Sequence, residues 1–202
     1  MKELSRRQQQ IANAALEIIS SQGIQKLTIK TLAEKICLTE GAIYRHFTSK
    51  EEILEAIADL FKAGSTEILN LILASNASGL EKLKAFFLGR CQQFSKSPGL
   101  TVVMFAENIF KTSENLSIEK RSLETIQSHQ QLLVLSIRQG QKTGEIVPNI
   151  EPNHLFVIVM GALRLLITRW RGANFTFNLE EEGQKLWDSL HKLIATGTIH
   201  HP

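Results

Sequence analysis

Residues 28–54 contain three helical patterns separated by very short connections, and this arrangement constrains the fold more than any other feature of the chain. The first pattern begins at Thr28, whose hydroxyl can cap a helix N-terminus, and its apolar residues recur at steps of three and four. Cys37-Leu38 interrupts the pattern, and Thr39 can cap a second, shorter helix. Two helices joined by a turn of three to four residues are the skeleton of a helix-turn-helix.

The second helix of such a pair lies in the major groove, where its N-terminal residues meet the base edges. Gly41 lies in this part of the chain, and a glycine there permits close approach of the backbone to a sugar-phosphate strand. Tyr44 can donate its phenolic hydroxyl to a phosphate, Arg45 can reach a phosphate or the O6/N7 edge of guanine, and His46 can donate an N–H. The candidate DNA-binding residues are Thr28, Thr39, Glu40, Gly41, Ala42, Tyr44, Arg45, His46 and Lys50.

The third helix begins at Ser49, and the spacing of Ser49 and Glu52 predicts a capping box. Its N-terminus therefore offers backbone N–H groups and the positive end of a dipole, and Lys50 adds a full charge. These groups suit a phosphate. The first 50 residues hold eight Lys and Arg against four Glu, an excess of +4 in a chain whose total is +3, as one face meeting a polyanion requires. A solvated charged surface explains so small an excess nearly as well.

These motifs resemble the DNA-binding region of the TetR family of bacterial transcriptional regulators (TetR/AcrR type). The matching positions are Gly23, Leu27-Thr28, Leu32-Ala33, Gly41, Ile43-Tyr44-Arg45-His46-Phe47 and Ser49-Lys50-Glu51-Glu52. The resemblance implies that Tyr44, His46 and Lys50 grip phosphates and that Thr39, Glu40 and Arg45 lie nearest the bases. Cys37-Leu38 stands where the family more usually has Gly-Val. The match covers roughly the first quarter of the chain, and the remainder is similar to the family only in layout.

The rest of the chain is predicted to form further helices, without a convincing strand pattern or repeat. We therefore predict an all-α fold with an N-terminal three-helix helix-turn-helix domain and a larger C-terminal helical domain for ligand binding and dimerisation. The predicted division is a DNA-binding domain over residues 1–50, a connector helix over 50–74, and a ligand-binding and dimerisation domain over 51–202. Leu100 to Lys111 is expected to form a short helix after a stop at Pro98-Gly99.

Aromatic and Met residues gather between residues 86 and 110. A plain core accounts for most of them, and a largely apolar small-molecule pocket is the functional interpretation. In the family this body binds an inducer, which implies a small-molecule effector here. The predicted pocket residues are Phe87, Cys91, Phe94, Met104, Phe105, Glu107, Asn108, Phe110 and His129.

Residues 155–167 are apolar nearly all round, but the run is shorter than the ~20 residues of a membrane span and contains Arg164. A buried helix covered on one side by a second copy of the chain accounts for it, together with an amphipathic helix over residues 179–196. The family usually dimerises in this way. The predicted interface residues are Leu155, Ile158, Val159, Ala162, Leu166, Leu186, Trp187, Leu190 and Ile194.

The sequence contains no GxSxG, HExxH, P-loop or GxGxxG motif, so we expect no enzyme, no catalytic residue and no cofactor. Cys37 and Cys91 lack metal-type spacing and are expected to be two small buried hydrophobic residues in a reducing compartment, and no metal site is expected. The polar start of the chain shows no cleavable signal. The main rival is a helical homodimeric protein-interaction module without sequence-specific DNA binding, which leaves the motifs of residues 39–52 unexplained.

The sequence therefore predicts a cytoplasmic homodimer that regulates transcription by binding double-stranded DNA at a palindromic operator, released by a small, largely apolar effector and making no membrane contact. That it represses rather than activates is implied by the resemblance alone.

Overall fold

The computed structural model describes residues 4–104 and 116–197, with the side chains of residues 4–104 and 127–197. These residues form an all-α structure without a strand, and one isolated bridge pairs Ile146 with Ala195. The helices are α1 (Arg6–Gln22), α2 (Ile29–Lys35), α3 (Glu40–Tyr44), α4 (Lys50–Ala74), α5 (Gly79–Lys96), α6 (Pro98–Met104), α7 (Leu116–Lys142), α8 (Pro152–Gly172) and α9 (Leu179–Ile194), with a 3-10 turn at Ile24–Lys26. The prediction of an all-α fold is confirmed.

The chain divides into two compact units. Unit 1 consists of Met1–Gly64 and Lys96–Glu124, and unit 2 consists of Ser65–Ser95 and Thr125–Pro202. The boundary therefore falls inside α4, and a segment from the middle of the chain belongs with the N-terminal helices. The domain division predicted from the sequence, at residue 50, stays a prediction.

In unit 1, α1 packs against the short helices α2 and α6. The stripe of α1 that includes Ile11, Ala15 and Ile18 is fully buried, as the spacing of its apolar residues requires. The predicted stop at Pro98 is confirmed, since α5 ends at Lys96, but Pro98 also begins α6, at a position where a missing N–H and a fixed φ cost a helix nothing. The neighbouring Gly99 lets α6 approach α1, since an added Cβ would lie 2.2 Å from the Leu16 carbonyl oxygen.

In unit 2, α8 packs on α9 around two buried tryptophans. Trp187 of α9 lies against Phe87 of α5, with ring centroids 5.6 Å apart. Trp170 of α8 donates its indole N–H to the Phe177 carbonyl at 2.8 Å, which ties the end of α8 to the connection before α9. Of the helices that the structure describes, none is long and apolar enough to cross a membrane.

Candidate functional site

The turn between α2 and α3 is closed by two backbone hydrogen bonds of the Schellman type. The Cys37 N–H donates to the Glu34 carbonyl at 3.3 Å, and the Leu38 N–H donates to the Ala33 carbonyl at 2.9 Å. This geometry places Cys37 in the left-handed region at φ +54°, a conformation that favours glycine. The departure from Gly-Val therefore keeps the turn but puts a Cβ where the family more usually has none.

Helix α3 is only five residues long, so its position depends on capping and on packing rather than on its own propensity. The Thr39 hydroxyl accepts from the Ala42 N–H at 3.2 Å, which confirms the predicted cap. Ile43 is fully buried and Phe47, just beyond the helix, is nearly so. These two apolar contacts turn the rest of α3 toward solvent.

We call the predicted DNA-binding residues of unit 1 the reading face. Tyr44 is 50% exposed although it directly follows the buried Ile43. Thr28, Thr39, Glu40, Gly41 and Arg45 are also exposed, whereas Ala42, His46 and Lys50 are half-buried. Nothing lies within 4 Å of the Cβ position at Gly41, so the backbone there is open to close approach by a ligand.

Side-chain caps also begin the helices on either side of α3, namely α2 and α4. Thr28 and Thr31 cap α2 reciprocally: the Thr28 hydroxyl accepts from the Thr31 N–H at 3.1 Å and the Thr31 hydroxyl accepts from the Thr28 N–H at 3.0 Å. At α4, the Ser49 hydroxyl accepts from the Glu52 N–H at 3.2 Å, as predicted. The Glu52 carboxylate reaches back one residue further than a capping box requires and accepts from the N–H and the hydroxyl of Thr48.

Lys50 is held close to the 3-10 turn. Its Nζ donates to the Ile24 carbonyl at 3.4 Å, a long hydrogen bond that uses one of three ammonium donors. The ammonium therefore lies next to the 3-10 turn, and its other two N–H donors are not used by this hydrogen bond. Lys35, in contrast, forms an ion pair with Glu17 at 2.8 Å on the surface of α2 and α1.

One residue of unit 1 that the sequence analysis did not select also contacts the reading face. Gln8 of α1 donates its side-chain Nε2–H to the His46 carbonyl at 3.2 Å. The sequence carries a signal at this position, because Ser5 and Gln8 have capping-box spacing, but that signal predicts only the start of α1.

The predicted pocket residues of α5 are core residues in the structure. Phe87, Cys91 and Phe94 are buried, Phe87 against Trp187 and Cys91 against Gly183, so they fill the interior of unit 2 rather than line an open pocket. Met104 is half-buried at the end of α6. Four further predicted pocket residues, Phe105, Glu107, Asn108 and Phe110, lie outside the described residues.

A groove of about 760 Å³ lies on the opposite face of α5, within unit 2. The C-terminal half of α4 supplies Ile68, Leu71 and Ile72, and Leu71 is among the most exposed apolar side chains of the described chain. The remaining lining residues are Ser75, Ala77, Glu81, Ala85, Leu88, Gly89, Gln92, Glu180 and Gln184. Its volume is in the ordinary range for small-molecule sites, and its floor is largely aliphatic.

The predicted pocket residue His129 is buried beside Arg90 in unit 2. The Arg90 guanidinium lies 3.0 Å from His129 Nδ1, donates to the Ser65 hydroxyl at 2.7 Å, and stacks 5.0 Å from the centroid of the Phe86 ring. Burial, and secondarily the charge of Arg90, lower the pKa of His129 to about 3. His129 is therefore neutral at physiological pH and joins α7 to α5.

Most residues of the predicted dimer interface are buried in the core of the protomer. Leu155, Val159 and Leu166 of α8 and Trp187, Leu190 and Ile194 of α9 are buried within the protomer, so their side chains belong to its own core. Ala162 and Leu186 are half-buried, and of the predicted set Ile158 is exposed. The exposed apolar residues of these helices are Val157, Ile158, Leu165 and Leu193, which we call the α8–α9 face.

Side chains suited to a metal site or a reactive thiol are dispersed. Among the side chains of residues 4–104 and 127–197, no three His, Cys, Asp or Glu residues come together in a group suited to a metal ion. The prediction that both cysteines are buried is confirmed for Cys91 and wrong for Cys37, which is exposed in the turn before α3. Burial raises the pKa of Cys91 to about 12.

Comparison with known proteins finds similarity in the N-terminal helices and along nearly the whole chain. Residues 11–57 match the family model of bacterial regulatory proteins of the tetR family. The nucleoid occlusion factor SlmA of Vibrio vulnificus (strain YJ016) is 24% identical over 194 residues, covering 96% of this chain and 97% of that protein.

Two solved structures show that the likeness of fold extends through unit 2. The TetR family transcriptional regulator PfmR of Thermus thermophilus superposes with a TM-score of 0.77 at 22% identity, covering 90% of this chain and 97% of that one. The transcriptional regulator FadR of Bacillus subtilis, in complex with stearoyl-CoA, superposes with a TM-score of 0.70 at 20% identity, covering 95% and 99%. Residues 11–57 therefore match the tetR family of bacterial regulatory proteins, and the chain shares the fold of the solved TetR family regulator PfmR.

Proposed function

We propose that this protein is a ligand-responsive transcriptional repressor that binds a palindromic operator as a homodimer in the bacterial cytoplasm. The observation that carries the proposal is the reading face, where a five-residue helix turns Thr39, Glu40, Tyr44 and Arg45 outward while Ile43 anchors it. A plain interaction module has no need of an exposed tyrosine and arginine at the end of a capped helix of this length.

The roles within the reading face follow from the chemistry of each group. The N-terminal residues Thr39 and Glu40 would meet base edges, and Arg45 would read guanine or hold a phosphate. Tyr44 and Lys50 would donate to phosphate oxygens, which positions the protein without selecting sequence. His46 is half-buried, so it would reach a phosphate at the edge of the contact.

The DNA contacts are tested with a duplex selected from a random library on the wild-type protein. We expect Tyr44→Phe to weaken every duplex by about 2- to 10-fold, the loss of one hydrogen bond. Lys50→Ala should reduce the salt slope of binding by roughly one, since one fewer counterion is released. Arg45→Ala should change the preferred sequence as well as the affinity.

Arg138→Ala is the matched control for these variants, since Arg138 is an exposed arginine on α7. If Tyr44→Phe, Lys50→Ala and Arg45→Ala all bind like Arg138→Ala, the assignment of the reading face is wrong.

We propose that the α8–α9 face joins two copies of the chain. Solvent-exposed apolar groups on two packed helices are the kind of surface that a second copy covers. Leu165→Glu should give monomers in sedimentation and lose operator affinity, because the two half-sites are no longer bound together. Leu135→Glu is the control: Leu135 on α7 and Leu165 on α8 are each 62% exposed. A dimer that survives Leu165→Glu and resists dissociation on dilution contradicts this interface.

We propose that the effector occupies the groove between α4, α5 and α9. The aliphatic floor at Ile68, Ile72 and Leu88 suits an alkyl chain, and the regulator FadR that shares this fold binds stearoyl-CoA. Since α4 lines the groove and begins beside the reading face, a ligand that prefers one position of α4 would shift the spacing of the two reading faces.

The effector site is tested with long-chain fatty acids and stearoyl-CoA as probes. A bound probe should raise the melting temperature by mass action and release the selected duplex. Ala85→Trp, which fills the groove, should abolish both responses, whereas Lys84→Trp on the exposed side of α5 should keep them. Probes that still act on Ala85→Trp place the effector elsewhere.

Nucleoid occlusion is a second candidate, favoured by the likeness to SlmA over nearly the whole chain. A factor acting on the nucleoid would occupy sites spread along the chromosome, whereas a repressor would occupy a few sites beside promoters. Chromatin immunoprecipitation with sequencing separates the two.

A further inference from the structure

The side-chain amide of Gln8 makes two hydrogen bonds, one with the N-cap of α1 and one with the residue two positions beyond α3. Its carbonyl oxygen accepts from the Ser5 N–H at 3.1 Å, and its backbone N–H donates to the Ser5 hydroxyl at 3.3 Å, which completes the cap of α1. Its side-chain N–H donates to the His46 carbonyl at 3.2 Å, across 38 residues of sequence. The two ends of the amide therefore have separable roles.

The His46 carbonyl lies in the turn just beyond α3, which ends at Tyr44 with Arg45 as its C-cap. The N–H groups of His46 and Phe47 both donate to the Ile43 carbonyl, so this turn is bonded to the last residues of α3. Holding the His46 carbonyl fixes the peptide plane between His46 and the buried Phe47, one residue beyond Arg45. A five-residue helix has too few internal hydrogen bonds to set its own orientation, so each external contact counts.

We propose that Gln8 is a positioning residue for DNA recognition: its side-chain amide holds the end of α3 so that Tyr44 and Arg45 are presented in one orientation before DNA binds. The inference rests on the proposed function, since it assumes that α3 meets the DNA. Pre-ordering this contact lowers the conformational cost of binding and sharpens discrimination between sequences.

Gln8→Glu separates the two roles. Glutamate at this position still accepts from Ser5, and it is a preferred residue for a capping box, so the fold should be retained. The variant loses the N–H that binds His46 and sets a carboxylate against a carbonyl oxygen. We expect the denaturation midpoint to fall by no more than the loss of one hydrogen bond allows, while affinity for the selected duplex falls by about 2- to 10-fold.

Gln10→Glu is the control for charge, because it adds the same negative charge two residues away. Gln10 is exposed and its side-chain oxygen accepts from Arg7 at 3.1 Å, a bond that glutamate keeps. Repulsion of the DNA by an added charge is screened by salt, whereas the loss of a hydrogen bond within the protein is not. Gln8→Glu should therefore bind more weakly than Gln10→Glu at both low and raised salt.

Ser5→Ala tests the opposite case, since it removes the cap hydroxyl but leaves the bond to His46. It should lower stability without changing the affinity of the folded protein. Hydrogen exchange reports the position of α3 directly: the Phe47 N–H, bonded to the Ile43 carbonyl at 3.0 Å, should exchange faster in Gln8→Glu than in Ser5→Ala.

The proposal is overturned if Gln8→Glu and Gln10→Glu bind DNA equally and the Phe47 amide exchanges alike in both. In that outcome, a loss of DNA affinity in Arg45→Ala would still support the proposed function. If Arg45→Ala also binds like the wild type, the proposed reading face itself is at fault.

Discussion

Replacing Cys37 by glycine should stabilise the protein. At φ +54° the Cβ of Cys37 crowds the following carbonyl, which costs an L-residue about 1–2 kcal/mol relative to glycine. Glycine loses more freedom on folding, which returns about 0.5–1 kcal/mol of that gain. The net expectation is an increase of about 0.5–1 kcal/mol in the free energy of unfolding.

The cysteine side chain itself contributes little to this balance, because Cys37 is exposed and free. Cys37→Ala keeps the Cβ and removes the thiol, so it should unfold at nearly the wild-type midpoint. The difference between Cys37→Gly and Cys37→Ala therefore isolates the backbone effect from the loss of the sulfur.

Equilibrium unfolding in urea at one fixed protein concentration measures this difference, since a dimer's midpoint depends on concentration. DNA affinity should be the same in both variants, because the two turn hydrogen bonds at Cys37 and Leu38 are made by the backbone. The reasoning is refuted if Cys37→Gly unfolds at or below the midpoint of Cys37→Ala.

Three other perturbations probe packing and ionisation. Gly183→Ala puts a Cβ 2.6 Å from the Cys91 Sγ and should cost about 1–3 kcal/mol of stability, and adding Cys91→Ala should recover part of that loss in a double-mutant cycle. Gly99→Ala should cost more than Gly183→Ala in the same urea assay, because its Cβ meets the backbone oxygen of Leu16 rather than a side chain. Burial lowers the pKa of His129 to about 3 in the folded protein. As pH falls below about 6.5, His129 is therefore protonated in the unfolded chain but stays neutral in the folded one. Relative to His129→Gln, the wild type should therefore lose stability as pH falls from about 6.5 toward 3, by at most about 1.4 kcal/mol per pH unit, and parallel pH curves for the two proteins would contradict this.

The short-range signals of the sequence were sufficient for the helix caps of unit 1. The caps at Thr28, Thr39 and Ser49 depend on atoms within a few residues of each other, so their spacing predicts them correctly. Contacts between distant residues were missed for the converse reason. No local pattern connects Gln8 with the carbonyl of His46, and nothing in the residues around Pro98 indicates that the helix it begins packs on α1.

In unit 2 the sequence predicts which faces are apolar but not what covers them. The stripe of α9 that contains Trp187 and Leu190 was assigned to a partner, whereas the structure packs it inside the protomer. Phe87 and Cys91 were assigned to a ligand pocket because apolar residue types are the same in a packed core and in the wall of an apolar pocket, so the sequence does not separate the two.

The sequence by itself determined the helices, their caps and the exposed polar residues of α3, because those depend on periodicity and on hydrogen bonds between near neighbours. Only the tertiary structure decided which apolar faces remain exposed, where the groove lies, and how the end of α3 is held. Burial and long-range hydrogen bonds are properties of pairs of elements, and their partners are chosen when the helices pack.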